Sequence, residues 1–260
     1  MNAQEANGRV AIITGASSGI GAATALRLAR NGWRIAVNFA TSAAGAEETA
    51  AACRQAGGMA VAMQADVSNN DACLALVNRT LEQWGRIDAL VNNAGTTKTV
   101  KHADLDGLDG EDFLRIYRTN VVAAFQMSKA CAPALRAGGD GAIVNVSSIA
   151  SFLGTGSSIA YAASKAALNS VTLSLARVLG PQIRVNAVMP GYVDTPWVRR
   201  GYGTDGAQAV AERYKANSAL ARVSTPDDIA DPIAWLVEHA RSVTGEIMFV
   251  DGGSRLATPR

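Results

Sequence analysis

Histidine and cysteine are scarce in this chain, and each scarcity excludes a class of chemistry. His102 and His239 are the only two histidines in 260 residues, and they lie far apart. The three cysteines, Cys53, Cys73 and Cys131, are widely spaced and form no CxxC pair. They read as small buried hydrophobes in a reducing, cytoplasmic setting and not as disulfides or ligands. Without a His/Cys cluster no structural or catalytic metal is expected. An excess of charge of one sign is also missing. The 24 Lys+Arg against 22 Asp+Glu leave a formal charge of +2, with the basic residues scattered, so nucleic acid is not an expected partner. No apolar run exceeds strand length, so no helix is expected to cross a membrane. Residues Met1–Asn7 lack the basic-then-apolar pattern of a secretory leader. Linkers, repeats and low-complexity stretches are absent too. What remains is 48% hydrophobic, enough for one large core, and a single domain over residues 1–260 is expected.

What is present has a clear rhythm. Strand-like runs recur near residues 9–14, 33–39, 59–65, 87–91, 141–147, 182–188 and 246–250, with helical patterns between them. Such βαβ alternation implies an α/β fold with a doubly wound, seven-stranded parallel sheet and helices on both faces. Ile143-Val-Asn-Val146 and Ile183-Arg-Val-Asn-Ala-Val188 are short and rich in β-branched residues, as strands buried on both faces tend to be. Ligands of these sheets bind beyond the carboxyl ends of the strands. Gly15, Phe39, Asp66, Asn92, Ser148 and Pro190 are all expected at those ends.

The first strand, Val10-Ala-Ile-Ile-Thr14, runs into Gly15-Ala-Ser-Ser-Gly19-Ile-Gly21 and then a helical pattern. Strand, glycine turn and helix start together form the phosphate cradle of a dinucleotide fold. Gly15 suits the tight turn, Gly19 lets backbone approach a pyrophosphate, and Gly21 allows helix to pack closely on strand. The spacing is GxxxGxG and not GxGxxG. The same residues also fit G-x-S-x-G, a nucleophile elbow that would make Ser17 a hydrolytic serine. That reading needs a later histidine. His239 lies in Trp235-Leu-Val-Glu-His-Ala-Arg241, which reads as an ordinary helix end, and almost no chain precedes the elbow.

Tyr161 and Lys165 carry the most specific chemistry. Four residues apart, they share one face of a helix. An unperturbed phenol, with a pKa of about 10, is a poor acid or base at neutral pH. An ammonium beside it favours the phenolate and can tune it for proton transfer.

Taken together, these motifs identify the chain, from about Gly8 to Gly253, as resembling the short-chain dehydrogenase/reductase family. Thr14–Gly21 is similar to that family's TGxxxGIG turn, and Asn92-Asn-Ala-Gly95 to its NNAG motif. Ser148 precedes Tyr161 by thirteen residues, and Lys165 completes YxxxK. Asp66-Val67 resembles the strand end that meets adenine, Pro190-Gly191 with Thr195 the segment holding the nicotinamide, and Val250-Asp-Gly-Gly253 the C-terminal signature. The zinc alcohol dehydrogenases, by contrast, lack any counterpart here.

The resemblance implies a catalytic set. Tyr161 would exchange a proton with the substrate oxygen, Lys165 would lower the tyrosine pKa and bind ribose, and Ser148 would hold the substrate oxygen. Asn120 would anchor a water. The implied cofactor contacts are Gly15, Ser17, Ser18, Gly19, Ile20, Gly21, Asn38, Phe39, Thr41, Ser42, Asp66, Val67, Asn93, Ala94, Gly95, Tyr161, Lys165, Pro190, Gly191, Val193 and Thr195. Thr14, Asn92 and Gly95 are expected to fix the turn and the adenosine side.

The second strand, Ile35-Ala-Val-Asn-Phe39-Ala-Thr-Ser42, carries no acid where NAD enzymes place one for the ribose 2′-hydroxyl. Asn38, Thr41 and Ser42 could donate to a 2′-phosphate, which favours NADP(H) over NAD(H), although no arginine stands at Ala40 or Ser18. Residues 191–217 resemble the variable substrate loop, with glycines at 201, 203 and 206 suggesting a mobile lid. Phe152, Leu153, Tyr192, Trp197 and Tyr202 could line an apolar pocket. Arg199 and Arg200 could meet an anion, or simply face solvent.

The implied substrate is a ketone or aldehyde interconverted with its alcohol. The alternative is a 3-oxoacyl-carrier-protein reductase, whose usual basic docking residues are replaced here by Gly138-Gly139-Asp140 and Gly180-Pro181. Two nearly uncharged helices, 121–135 and 161–179, correspond to the seam through which the family forms dimers, and a homotetramer is expected.

Overall fold

The computed structural model describes residues 8–256. The readings of Met1–Asn7 and of the outer domain bounds lie outside them. The chain runs β1 (Val10–Ile13), α1 (Gly19–Arg30), β2 (Arg34–Phe39), α2 (Ala43–Gln55), β3 (Met59–Gln64), α3 (Asn70–Trp84) and β4 (Ala89–Asn92). It continues through α4 (Gly110–Tyr117), a π-helical turn (Arg118–Val122), α5 (Ala123–Gly138), β5 (Gly141–Val146), α6 (Ala150–Leu153) and α7 (Ile159–Leu179). The last third comprises β6 (Ile183–Pro190), α8 (Pro196–Ala216), α9 (Pro226–Glu238), β7 (Ile247–Val250) and a 3₁₀ turn at Ser254–Leu256.

Seven parallel strands lie in the order β3-β2-β1-β4-β5-β6-β7. This is the Rossmann-like doubly wound sheet that the βαβ rhythm implies. The strands are short and apolar because alternate side chains enter two different cores. Ala11, Ile13, Ile35, Val37, Val91 and Val144 join Leu28, Trp33, Ile229 and Leu236 on the face covered by α1, α2 and α9. Ile12, Ala36, Leu90 and Ile143 join Leu76, Met127, Leu135 and Leu175 on the face covered by α3, α5 and α7. Local signals set the helix ends. Asn69 accepts from the backbone N–H of Asp71 and Ala72 at the start of α3, and Gly85 closes it in the left-handed region. Thr225 and Asp228 form a reciprocal capping box on α9 behind Pro226.

Strand order reverses direction between β1 and β4, so the turns after these two strands diverge above a crevice. Residues 191–217 depart from the expected mobile loop. Most of that stretch is the helix α8, started by Pro196 behind Thr195 and interrupted only at Gly203 (φ 69°, ψ 170°). Among the described residues, no helix is long and apolar enough to cross a membrane.

Candidate active site

The turn after β1 is built to leave room. Gly15 and Gly19 adopt positive φ of 62° and 58°, a region that disfavours any residue with a Cβ. A Cβ on Gly15 would lie 2.9 Å from Cα of Ala94, and one on Gly21 would lie 2.5 Å from Nδ2 of Asn93. The two loops are locked by hydrogen bonds. Asn93 Nδ2 donates to the carbonyls of Thr14 and Gly15 at 2.9 and 3.0 Å. Thr14 Oγ1 accepts from the N–H of both Asn93 and Ala94 at 3.0 Å. The N-terminus of α1 therefore opens onto the crevice, backed by glycines, as an anion would require.

A cavity of about 340 Å³ runs along the carboxyl ends of the strands. Gly15, Ser17, Ser18, Gly19, Ile20, Asn38, Phe39 and Thr41 line one part of it. Asp66, Val67, Asn93, Ala94 and Gly95 follow, then Ser148, Tyr161, Lys165, Pro190, Gly191, Val193 and Thr195. A glycine cradle at a helix N-terminus, a crevice at the switch point and a polar far end suit a dinucleotide. Sequence reasoning missed Ala40, Ala65, Thr119, Val146, Ser147 and Val198 as lining residues, and left Arg200, which also lines the cavity, between an anion and solvent. Helical spacing from Thr195 would have found Val198; nothing local marks Thr119, which reaches the cavity from the π-helical turn.

Three of the expected cofactor contacts are placed differently from the rest. Asn38 lines the cavity, but its amide is committed to holding strands together. Its Nδ2 donates to the carbonyls of Met63 and Ala65 at 3.2 and 3.0 Å, while Oδ1 accepts from the Gly15 N–H at 3.4 Å. It is not free to donate to a 2′-phosphate. Ser42 precedes α2 and lies outside the lining. Gly21 is likewise outside, its role being the close approach of α1 to Asn93.

Asn120 and Asn92 point inward as well. Asn120 sits in the π-helical turn, where its Oδ1 accepts from Thr96 N–H at 2.7 Å. Its Nδ2 donates to Thr96 O and Ser164 Oγ at 3.0 and 2.9 Å. The amide thus ties the loop beyond Gly95 to α7, and its two N–H groups are not free for a water. Asn92 Nδ2 donates to Asn145 Oδ1 at 2.9 Å inside the sheet, so it braces β4 against β5 instead of meeting adenosine.

The chemical end is formed by α7 and the end of β5. Ser158 caps α7 by accepting from Tyr161 N–H at 3.2 Å, so the helix begins just ahead of the reactive pair. Lys165 is 4% exposed, and its Nζ donates to Val146 O at 2.7 Å. That nitrogen lies 5.7 Å from the Tyr161 ring centroid. Burial pushes Lys165 down to about 8. Burial also pushes Tyr161 up to about 12, opposed by the nearby Ser148 hydroxyl. The expected lowering of the phenol is therefore not found. Desolvation outweighs a lysine that is itself driven toward neutrality and directed at a carbonyl. Ser148 Oγ also accepts from Ala150 N–H at 3.2 Å, which fixes it over α6.

The aromatic residues expected around the substrate separate. Trp197 packs on Tyr161, with ring centroids 5.8 Å apart at 43°. Phe152 turns to Phe249 at 5.3 Å, edge to face, and remains largely exposed. Tyr192 donates to Ala207 O at 2.8 Å and so anchors α8. Among the described residues no histidine lines the cavity, which leaves Ser17 without the partner that a hydrolytic elbow requires.

The profile of a family described as enoyl-(acyl carrier protein) reductase matches residues 15–255. This chain belongs to the short-chain dehydrogenase/reductase family. Among its relatives is a protein of Streptomyces violaceoruber named as ketoacyl reductase 2 of a granaticin polyketide synthase. It is 42% identical, with 95% of this chain and 96% of the relative aligned. A cis-4-hydroxycyclohexanecarboxylate dehydrogenase of Sinomonas cyclohexanicum is 40% identical over 94% of this chain and 96% of its own length. A short-chain dehydrogenase of Burkholderia cenocepacia, solved in complex with NADP, superposes with a TM-score of 0.86 at 36% identity, covering 96% of this chain and 99% of the other. Proteins of the short-chain dehydrogenase/reductase family use a nicotinamide cofactor, and this chain is an oxidoreductase acting on alcohol or carbonyl groups.

Proposed function

We propose that the protein is an NADP(H)-dependent oxidoreductase that interconverts a free ketone or aldehyde and its alcohol, with Tyr161 as the proton-transfer group. The observation that carries this reading is that Tyr161, Ser148 and Lys165 line the same cavity as the glycine turn. A nicotinamide cofactor bound there supplies or accepts the hydride. Gly15, Ser17, Ser18, Gly19 and Ile20, at the α1 N-terminus, would hold its pyrophosphate. Phe39, Thr41, Asp66 and Val67 would border the adenosine, and Pro190, Gly191, Val193 and Thr195 the nicotinamide. Ser148 orients the substrate oxygen. Tyr161 gives that oxygen its proton, and a phenol pushed up to about 12 holds that proton throughout the neutral range. Lys165, as an ammonium below about pH 8, stabilises the charge left on the phenol.

NADP(H) is favoured because Phe39, Ala40 and Thr41 border the cavity where a carboxylate would reject a 2′-phosphate. The related structure that holds NADP agrees with this reading. A free substrate is favoured over a carrier-bound one by the turn at Gly139–Asp140. There the carrier reductases would display basic residues; here Asp140 faces Arg9 and Arg184 at 3.9 and 3.7 Å.

The protein acts as a homotetramer in a reducing compartment. Its apolar outer faces on α4, α5 and α7 support the assembly, and its three buried free cysteines the setting.

The test is NADPH oxidation against ketones, aldehydes and β-keto thioesters by wild type and Tyr161→Phe. Removing a preorganised hydroxyl donor costs about 2.7–4 kcal/mol, so turnover falls at least about a hundredfold while NADPH still quenches tryptophan fluorescence. Near-normal turnover by Tyr161→Phe would refute the role given to it.

A further inference from the structure

Helix α8 presents two different side chains to the cavity from one face. Trp197 and Arg200 both line it, and three residues apart on a helix they are neighbours. Trp197 lies against Tyr161 at the reacting end. The adjacent Arg199 is turned away and held by Asp194, with Nε and Nη2 donating at 3.1 and 2.8 Å. Arg200 has no carboxylate partner among the described residues. Of the cationic side chains in the lining, Lys165 already donates to Val146 O. The one acid there, Asp66, accepts from Ser68 N–H at 3.0 Å beyond β3. Arg200 is thus the cation of the cavity without a partner among the described residues.

Its place along the helix separates it from the phosphate cradle. Thr195 abuts Gly19, whose added Cβ would lie 3.3 Å from Thr195 Cγ2. Arg200 is five residues further on, about 7.5 Å along the axis at 1.5 Å per residue. The following residue runs close to the loop beyond Gly95: a Cβ on Gly201 would lie 2.8 Å from Thr99 Oγ1. This turn of α8 precedes the kink at Gly203.

We propose that Arg200 recognises an anionic group, a carboxylate, on the substrate, while Trp197 covers the apolar spacer between that group and the carbon that reacts at Tyr161. The substrate class is then a keto acid, or the matching hydroxy acid, whose two polar ends are separated by a hydrocarbon segment. This inference rests on the oxidoreductase reading above. It separates two arginines that the sequence could not tell apart.

The test compares 5-oxohexanoate with its primary amide, which is neutral and of nearly the same shape, together with their shorter and longer homologues. Wild type is expected to favour the acid in kcat/KM by about tenfold or more at its best chain length, the scale of one charge-assisted hydrogen bond. Arg200→Gln brings the ratio close to one, Arg200→Lys restores part of it, and Arg199→Gln leaves it unchanged. The dissociation constant for NADPH stays within twofold in Arg200→Gln. Calorimetric binding of keto acid and keto amide to the protein–NADP⁺ complex, which has no hydride to give a ketone, reads the same ratio without turnover, so a failure of the oxidoreductase reading leaves this test intact. A wild-type ratio near one overturns the proposal. So does an Arg200→Gln variant that loses NADPH affinity with an unchanged ratio, since the guanidinium would then hold a cofactor phosphate.

Discussion

The proton inventory of the site makes a pH prediction at the scale of single residues. Tyr161 stays protonated to about pH 12, and Lys165 loses its charge near pH 8. Carbonyl reduction draws on the phenol proton. Its kcat/KM is expected to hold level from pH 6 to about 8 and to fall above that as the ammonium deprotonates. Alcohol oxidation needs the phenolate instead. It should climb with pH across 7–10, approaching about tenfold per unit while proton transfer limits. Profiles in both directions check this, and a reduction limb already falling between pH 6 and 7 would contradict it. A second residue-scale prediction concerns Ala40, exposed at the end of β2. Ala40→Asp should weaken NADPH binding by tenfold or more and leave NADH nearly unchanged; equal losses for both would remove the 2′-phosphate from this corner. At this scale the sequence was legible where spacing alone carries the information, as for Tyr161, Lys165 and Ser148. It was illegible where a side chain's partners come from another strand. Asn38 reads as an available donor until Met63 and Ala65 on the neighbouring strand claim its amide.

At the scale of elements, the decisive contact is between the first turn of α1 and the loop after β4. Gly21 is needed there for lack of space and not for its φ, since an added methyl would meet Asn93 Nδ2 at 2.5 Å and Gly15 O at 2.7 Å. Gly21→Ala is therefore expected to cost about 1–3 kcal/mol of stability and to weaken NADPH binding by shifting the cradle. Thermal melts with and without NADPH test both parts; an unchanged melting temperature would mean that the helix moves freely. Element boundaries inside the sheet were close to the sequence reading: runs 141–147 and 182–188 became Gly141–Val146 and Ile183–Pro190. The segment after Thr195 was misjudged because three glycines looked like loop. Pro196 at the first turn and the run of residues suited to helices around Ala207 sustain a helix regardless, and Gly203 alone absorbs the bend.

At the scale of the whole molecule, apolar surface remains where the domain core does not reach. Leu114, Tyr117 and Phe125 on α4 and α5 stay exposed, as do Leu173 and Val178 on α7, the last at 67%. Surface of this kind on adjacent helices marks an association face. Sedimentation at micromolar concentration is expected to give a tetramer, and Phe125→Glu with Val178→Glu should reduce its size. A wild-type monomer would refute the assembly. The doubly wound architecture was legible from the alternation of strands and helices alone, whereas what meets these outer faces is not encoded in that periodicity.

The sheet order has one more consequence, for how the protein is made. β1 lies inside the sheet, flanked by β2 and β4, and its glycine turn abuts Thr195 at the start of α8. The cavity wall accordingly runs from Gly15 to Arg200. Arg200 leaves the ribosome after every other residue of that lining, so the complete pocket can form only once α8 has been made. Ligand stabilisation acts only on a state that can bind, so its full contribution comes only after α8 is in place.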